Sequence, residues 1–197
     1  MKKIFYLSAI VFVAFSACKK DNTMTPILSQ SFEVNSTGST TWKYFSFASN
    51  DTVSIADPAN SNAWDLAFQR YRIETNGGLS GKGSGSAANS FKKGQTGFDE
   101  LTVVPDTTTF AADASISIAV QQGYAYYIVN PVLYTWFSLE FATQGTQIVP
   151  TDNIYIVKTA SGKYAKVWFK SYYSPENVSG YVTFQYKYQP DGSKNLE

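Results

Sequence analysis

Histidine is absent from this sequence of 197 residues, and cysteine occurs once, as Cys18. The folded part therefore lacks the commonest general base and metal ligand, and it has no thiol for a disulfide or a thiolate site. Charged residues make up only 16% of the chain. Without Lys2 and Lys3 of the leader, 14 basic residues oppose 15 acidic ones, which leaves no basic stripe. These absences argue against an enzyme, a structural metal site and a nucleic-acid partner.

Aromatic side chains are plentiful, with 14 tyrosines and 14 phenylalanines, and this composition favours strands. Gly180–Tyr188 alternates strictly, as expected of a half-buried strand. Two hairpins are predicted, one by Ser115–Val120 and Tyr124–Val129 around Gly123, the other by two runs flanking residues 160–163. No long segment has a helical period. The pattern predicts one all-β domain, an antiparallel sheet sandwich or barrel, with strands over Thr41–Ala48, Thr52–Ile55, Trp64–Ile73, Ser115–Val120, Tyr124–Val129, Trp136–Phe141, Asn153–Thr159, Tyr164–Tyr172 and Gly180–Tyr188.

The N-terminus has the features of a lipoprotein signal peptide over residues 1–17. Lys2 and Lys3 precede an apolar stretch, Ile4–Phe15, that is too short to span a bilayer permanently. The residues Phe15-Ser16-Ala17-Cys18 resemble a lipobox, in which the sulfur of Cys18 takes a diacylglyceryl group; the alternative is cleavage elsewhere, leaving a free thiol. We expect a flexible tether over residues 18–30, a folded domain over residues 31–190 and a C-terminal tail over residues 191–197. The membrane contact is then the lipid anchor alone.

Two further segments invite a functional interpretation. The glycine-rich run Asn76–Gly85 lacks the spacing of a phosphate-binding loop, because Gly83 follows Lys82 where Ser or Thr is required. We predict a loop that needs positive φ or close backbone approach. Asp65 lies in an apolar run, so we expect it to be buried and paired with backbone amides or with an arginine.

The segment from Gln121 to Phe141 is the best candidate for a binding site. It is rich in tyrosine and includes Trp136, and such side chains can line a pocket for a flat apolar ligand, with phenol oxygens as polar handles. The alternative is a core strand pair with an exposed loop. The residues proposed to touch a ligand are Tyr124, Tyr126, Tyr127, Tyr134, Trp136 and Thr143.

Several motifs resemble the HmuY family of haem-binding lipoproteins. They are Thr41–Phe47 (TWKYFSF), Asn62–Tyr71 (NAWDLAFQRY), Thr75–Gly83 (TNGGLSGKG), Leu139–Phe141 (LEF), Gly162–Phe169 (GKYAKVWF) and Ser179–Tyr188 (SGYVTFQYKY). The resemblance implies an all-β domain, a lipid anchor at the outer membrane on the cell surface, and binding without catalysis. It also implies that haem is captured for iron acquisition and passed to a TonB-dependent outer-membrane receptor.

The axial ligands of that family cannot be carried over. One family histidine follows the Leu-Glu-Phe-Ser stretch, where this chain has Ala142 and Thr143; the other lies in the region of Val120–Tyr127. The methionine left after processing is Met24, in the tether. Tyrosinate is then the most reasonable donor to ferric haem, or the ligand is an iron-free tetrapyrrole held by apolar contact. Other functions remain open: a glycan or other apolar ligand on Trp42, Trp136 or Trp168, or docking to a receptor without a small ligand.

Overall fold

The computed structural model describes residues 27–120, 122–143 and 145–197. The predicted signal peptide, Cys18 and most of the predicted tether lie outside these residues. Within them, no helix has the length and apolar character needed to cross a membrane. The strands are β1 (Gln30–Asn35), β2 (Lys43–Ser46), β3 (Asp51–Val53), β4 (Leu66–Gln69), β5 (Arg72–Thr75), β6 (Ser86–Lys93), β7 (Ala114–Val120), β8 (Gly123–Val129), β9 (Phe137–Ala142), β10 (Gly145–Pro150), β11 (Asn153–Lys158), β12 (Tyr164–Tyr173) and β13 (Ser179–Gln189). The described residues also form one α-helix, α1 (Gly94–Glu100), and two short 3-10 helices, Pro58–Asn60 and Leu133–Thr135.

Two antiparallel sheets enclose the core, which confirms the predicted all-β class. The larger has the order β1-β13-β12-β11-β6, and the smaller has the order β3-β2-β4-β5. Alternate residues of β13, including Phe184, face the smaller sheet. The Phe184 ring stacks on Phe68 of β4 at 5.5 Å and meets Phe45 of β2 edge-on at 5.2 Å. Aromatic contacts of this kind join the two sheets at the centre of the core.

The segment Trp64–Ile73 was predicted as one strand, and this was wrong. It forms β4 and β5, joined by a tight turn in which Arg70 has a φ of 56°. The Arg70 guanidinium stabilises the turn by donating to the Ser179 hydroxyl at 2.9 Å. All four residues of β4 are buried, so the strand has no polar-apolar alternation that would reveal its end.

Three segments outside the two sheets also pack closely within the domain. In the glycine-rich run, a Cβ on Gly77 would lie 2.1 Å from the carbonyl oxygen of Gly85, which confirms the predicted close backbone approach. Helix α1, which the sequence pattern did not indicate, packs Phe98 on Trp168 at 6.4 Å. Residues 191–197 were set apart as a tail, but Leu196 is fully buried beside Phe98.

Two hairpins pair with neither sheet. The first joins β7 to β8, as the sequence predicted, and the second joins β9 to β10. Each leaves the core near its base and exposes large apolar side chains further out, including Tyr126 and Phe141. The candidate site is built from these hairpins, because β8 carries Tyr124, Tyr126 and Tyr127, which the sequence analysis proposed as ligand contacts.

Candidate functional site

The β7–β8 hairpin has two different faces. Residues opposite each other in an antiparallel pair point to the same side, so the pairing of Ile116 with Tyr127 and of Ile118 with Ala125 defines an inner face. These four residues are half-buried. The outer face is exposed and carries Tyr124, Tyr126 and Ile128 opposite Ala119, Ser117 and Ser115. One ligand lying on a single face therefore meets Tyr127, or it meets Tyr124 and Tyr126.

The β9–β10 hairpin also has one apolar face. Phe137, Leu139 and Phe141 alternate along β9 on the same side, and Ile148 of β10 lies opposite Leu139. Burial falls along β9, from the half-buried Phe137 to Leu139 with 55% exposed and Phe141 with 88%, while Ile148 opposite Leu139 is buried. The face is thus continuous with the core at its base and open to solvent at its tip.

The bases of the two hairpins meet at one group of side chains, here called the basal cluster: Tyr71, Arg72, Tyr127, Tyr134 and Phe137. The Tyr134 ring lies 5.4 Å from Phe137 and 6.3 Å from Tyr71, and Tyr71 lies 5.1 Å from Phe137. Burial, together with the nearby phenols of Tyr71 and Tyr127, raises the pKa of Tyr134 to about 12. The inner face of one hairpin and the apolar face of the other therefore adjoin the same aromatic cluster.

Arg72 supplies the positive charge of the basal cluster. Its guanidinium carbon lies 4.5 Å from the Tyr127 ring centroid and 6.0 Å from that of Trp42. It also donates a short hydrogen bond to Gln69 Oε1. Cation–π attraction to these two rings stabilises the position of the guanidinium.

The buried carboxyl group of Asp113 fixes the root of the β7–β8 hairpin. Asp113, just before β7, accepts hydrogen bonds from the Thr75 amide at 2.8 Å and from Asn130 Nδ2 at 3.0 Å. Burial raises the pKa of Asp113 to about 6. Burial and the charge of Asp113 raise the pKa of Glu74 to about 8, although Arg72 opposes this. Asp113 thus ties both strands of the hairpin to β5.

The structure divides the residues proposed from the sequence into groups. Tyr127 and Tyr134 belong to the basal cluster, whereas Tyr124 and Tyr126 lie on the outer face of the hairpin. Thr143 is exposed beyond the end of β9. Trp136 is a correction: only 1% of it is exposed and its indole donates to the Tyr71 carbonyl at 2.9 Å, so it supports the cluster from the core.

Sequence reasoning missed Tyr71 and Arg72 as site residues. They lie within the run that was taken as a single strand, and their nearness to Tyr127 and Tyr134 depends on contacts across more than fifty positions. The sequence did contain a sign of this turn, because the charged residues Arg70 and Arg72 interrupt an apolar run. That interruption is the turn between β4 and β5.

A separate pocket of about 340 Å³ opens beside β2 and β3. It is lined by the neighbouring segments of the two strands, namely Trp42, Lys43, Tyr44, Thr52, Val53, Ser54 and Ile55. Trp64, Trp136 and Trp168 are all buried. Trp42 is therefore the one tryptophan of the described chain whose ring is open enough for a ligand to stack on it.

The donor chemistry of these sites is limited to oxygen and to the charge of arginine and lysine. In the described part of the chain, no three His, Cys, Asp or Glu side chains gather as metal ligands. Phenol oxygens are the donors that the hairpins offer near their apolar faces. This set suits a flat aromatic ligand, with or without one phenolate bond to a ferric ion.

Comparisons with solved structures show the same fold. A protein of Bacteroides fragilis, provisionally described as a lipoprotein, aligns at 23% identity over 82% of this chain and 92% of its own, with a TM-score of 0.62. A Bacteroides vulgatus protein, provisionally described as HmuY-like and haem-binding, aligns at 19% identity over 80% of this chain and 90% of its own, with a TM-score of 0.62. The apo HmuY analogue of Tannerella forsythia aligns at 21% identity over 84% and 98%, with a TM-score of 0.63.

At these identities the structural likeness establishes the fold alone. No curated protein matches the chain significantly. A family model described as HmuY protein, however, matches residues 38–186. That range includes both hairpins, the basal cluster, the whole smaller sheet and all of the larger sheet except β1 and the end of β13, and it covers most of the chain. The protein belongs to the HmuY family.

Proposed function

We propose that this protein is a surface lipoprotein that binds haem or a related tetrapyrrole between its two hairpins. The single observation that carries the proposal is that the two apolar hairpin faces adjoin one cluster of phenols containing a guanidinium. A tetrapyrrole is flat, largely apolar and acidic at one edge, and each of these properties has a counterpart in that arrangement. Family membership and the haem-binding description of a structural neighbour support the same ligand class.

Tyr127 is the tyrosine that we propose as a donor to ferric iron. It lies on the inner face of its hairpin, within the basal cluster, whereas Tyr124 and Tyr126 point away from it. Tyr134 is a poorer candidate, because a pKa of about 12 makes its phenolate costly. A single tyrosinate binds ferric haem better than ferrous haem, so reduction should weaken the complex.

The proposal extends to the handling of the ligand. The lipobox-like leader supports anchoring through Cys18 to the outer membrane, with the domain held at the cell surface. Transfer of the tetrapyrrole to a TonB-dependent outer-membrane receptor would then serve iron uptake. Binding and release account for this role, and no catalytic step is needed.

Absorbance titration of the domain from residue 19 onward tests the proposal, with haemin and with protoporphyrin IX. We expect a Soret shift with haemin, a weaker complex after reduction with dithionite, and loss of the iron-linked bands in Tyr127→Phe. Tyr124→Phe is the matched control, since it removes the same hydroxyl from the outer face of the same strand. Spectra identical to the free porphyrins, with both ligands, would overturn the proposal.

A second candidate function rests on the pocket beside β2 and β3. Its lining includes the half-exposed Trp42 together with Tyr44, Thr52 and Ser54, and sugars are bound by side chains of these two kinds, aromatic rings and hydroxyls. A glycan-binding module would therefore use this pocket rather than the hairpins.

Tryptophan fluorescence distinguishes the two candidates. The buried rings of Trp64, Trp136 and Trp168 are insensitive to an added saccharide, so any response reports Trp42. A response to maltotetraose or to a hyaluronan tetrasaccharide that disappears in Trp42→Phe, together with free-porphyrin spectra in the titration above, would select the glycan function. No response to either saccharide would remove it.

A further inference from the structure

Arg72 is the one charged side chain of the basal cluster, and contact with a flat apolar ligand does not require its charge. Side chains from three parts of the chain contact it. The Tyr127 ring lies 4.5 Å from its guanidinium carbon and the Trp42 ring 6.0 Å, and Gln69 Oε1 accepts one of its N–H groups. An arginine held in this way has lost much of its rotamer freedom before a ligand arrives.

Among the described residues, no carboxylate forms an ion pair with Arg72. The ion pairs there join Lys92 to Glu100 and Lys194 to Asp106, both at the surface and without a member of the basal cluster. Glu74 lies two residues further along β5, and the charge of Arg72 acts on it at longer range by opposing the rise of its pKa. A guanidinium has five N–H donors, and the hydrogen bond to Gln69 Oε1 uses one of them.

A cation that is positioned but unpaired suits a ligand that brings its own anion. Planar guanidinium binds a carboxylate through two parallel hydrogen bonds, which makes it selective for that group. The aromatic members of the cluster offer nothing comparable, because phenol and benzyl groups do not discriminate an acid from its ester by charge. Any preference of this site for acidic ligands must therefore come from Arg72.

We infer that Arg72 binds a carboxylate of the flat ligand and selects acidic tetrapyrroles over uncharged ones. This rests on the proposed function, and it adds an orientation: the acidic edge of the ring lies toward β5 and Trp42, while the apolar edge lies toward the hairpin tips. Arg72 is then a specificity-determining residue, distinct from any donor to iron.

The test compares haemin with haemin dimethyl ester, in which both carboxylates are blocked, in the same detergent buffer. We expect the unmodified domain to bind haemin at least about tenfold more tightly than the ester, as a charged hydrogen-bonded pair requires. Arg72→Gln should bind the two ligands alike, because the preference for the free acid requires the guanidinium. Lys82→Gln, which removes a positive charge from an exposed loop, is the control and should keep the full preference.

The outcomes separate the inference from the proposed function. If Arg72→Gln retains the preference, or if the unmodified domain shows none, the inference is wrong while haem binding stands. If neither haemin nor protoporphyrin IX binds, the proposed function fails and the inference fails with it. Because the readout is a ratio between two ligands on one protein, partial misfolding of a variant cancels. Arg72→Lys adds a second check, since it keeps the charge without the paired donors and should show an intermediate ratio.

Discussion

Replacing Glu74 with glutamine should make the domain less sensitive to rising pH. Burial and the neighbouring Asp113 raise the pKa of Glu74 from 4.5 to about 8. In the unfolded chain, the same carboxyl group ionises near its ordinary pKa. The folded state therefore holds a proton that the unfolded state has released, and the contribution of Glu74 to stability is lost as the pH rises through the folded pKa.

The size of the effect follows from those two pKa values. A rise from 4.5 to about 8 corresponds to about 5 kcal/mol of unfolding free energy between pH 4 and pH 9. Glu74 keeps some contact with solvent and shares its interaction with Asp113, so we expect about 2–3 kcal/mol in practice. Glu74→Gln removes this loss while keeping the shape of the side chain.

Urea unfolding followed by tryptophan fluorescence measures the effect, at half-unit steps from pH 4.5 to pH 8.5. Urea is uncharged, so it leaves the electrostatics unscreened. The variant should gain about 2–3 kcal/mol relative to the unmodified protein across this range. Glu140→Gln, at an exposed position on β9, should follow the unmodified protein. If Glu74→Gln shows the same pH dependence as the unmodified protein, the raised pKa of Glu74 is refuted.

Three further substitutions test the packing, each by its free energy of unfolding in urea. Asp65→Ala leaves the buried amides of Phe47 and Ala160 without their acceptor and should cost about 2–4 kcal/mol; a cost near zero would show that water replaces the carboxylate. Gly77→Ala places a Cβ 2.1 Å from a carbonyl oxygen and should cost more than about 2 kcal/mol, so unchanged stability would contradict the close approach. Trp136→Ala should cost about 3–5 kcal/mol, and a cost under 1 kcal/mol would mean that the ring is not core.

The local sequence pattern predicted the strands and turns correctly where they depend on residues close in sequence. The alternation of β13, the hairpin of β7 and β8, and the glycine-containing turn between β11 and β12 all formed as predicted. The sequence failed where burial removes alternation, as in β4, and where seven residues are too few for a helical period, as in α1.

The candidate site depended on information that no local pattern contains. Period-two alternation separates Tyr127 from Tyr126, but which side faces the cluster is decided by the attachment of the hairpin to β5 through Asp113. Arg72 reaches Tyr127 across 55 positions of the chain. Trp136 was proposed as a ligand contact, but an indole suits the core as well as a binding pocket. Trp136 belongs to the core because it packs against Phe169, with 5.3 Å between the ring centroids.

The adjacent positions of Tyr126 and Tyr127 on β8 affect how the hairpin can change in length during evolution. Because adjacent strand residues face opposite ways, a single-residue insertion ahead of Tyr126 that moved each later residue of β8 one place along the strand would exchange its two sides. Tyr126 would then take the place of Tyr127, so a phenol would still point toward Arg72. Relatives with hairpins of different length can thus retain an aromatic oxygen at the same place in space, and aligning them by position alone would hide it.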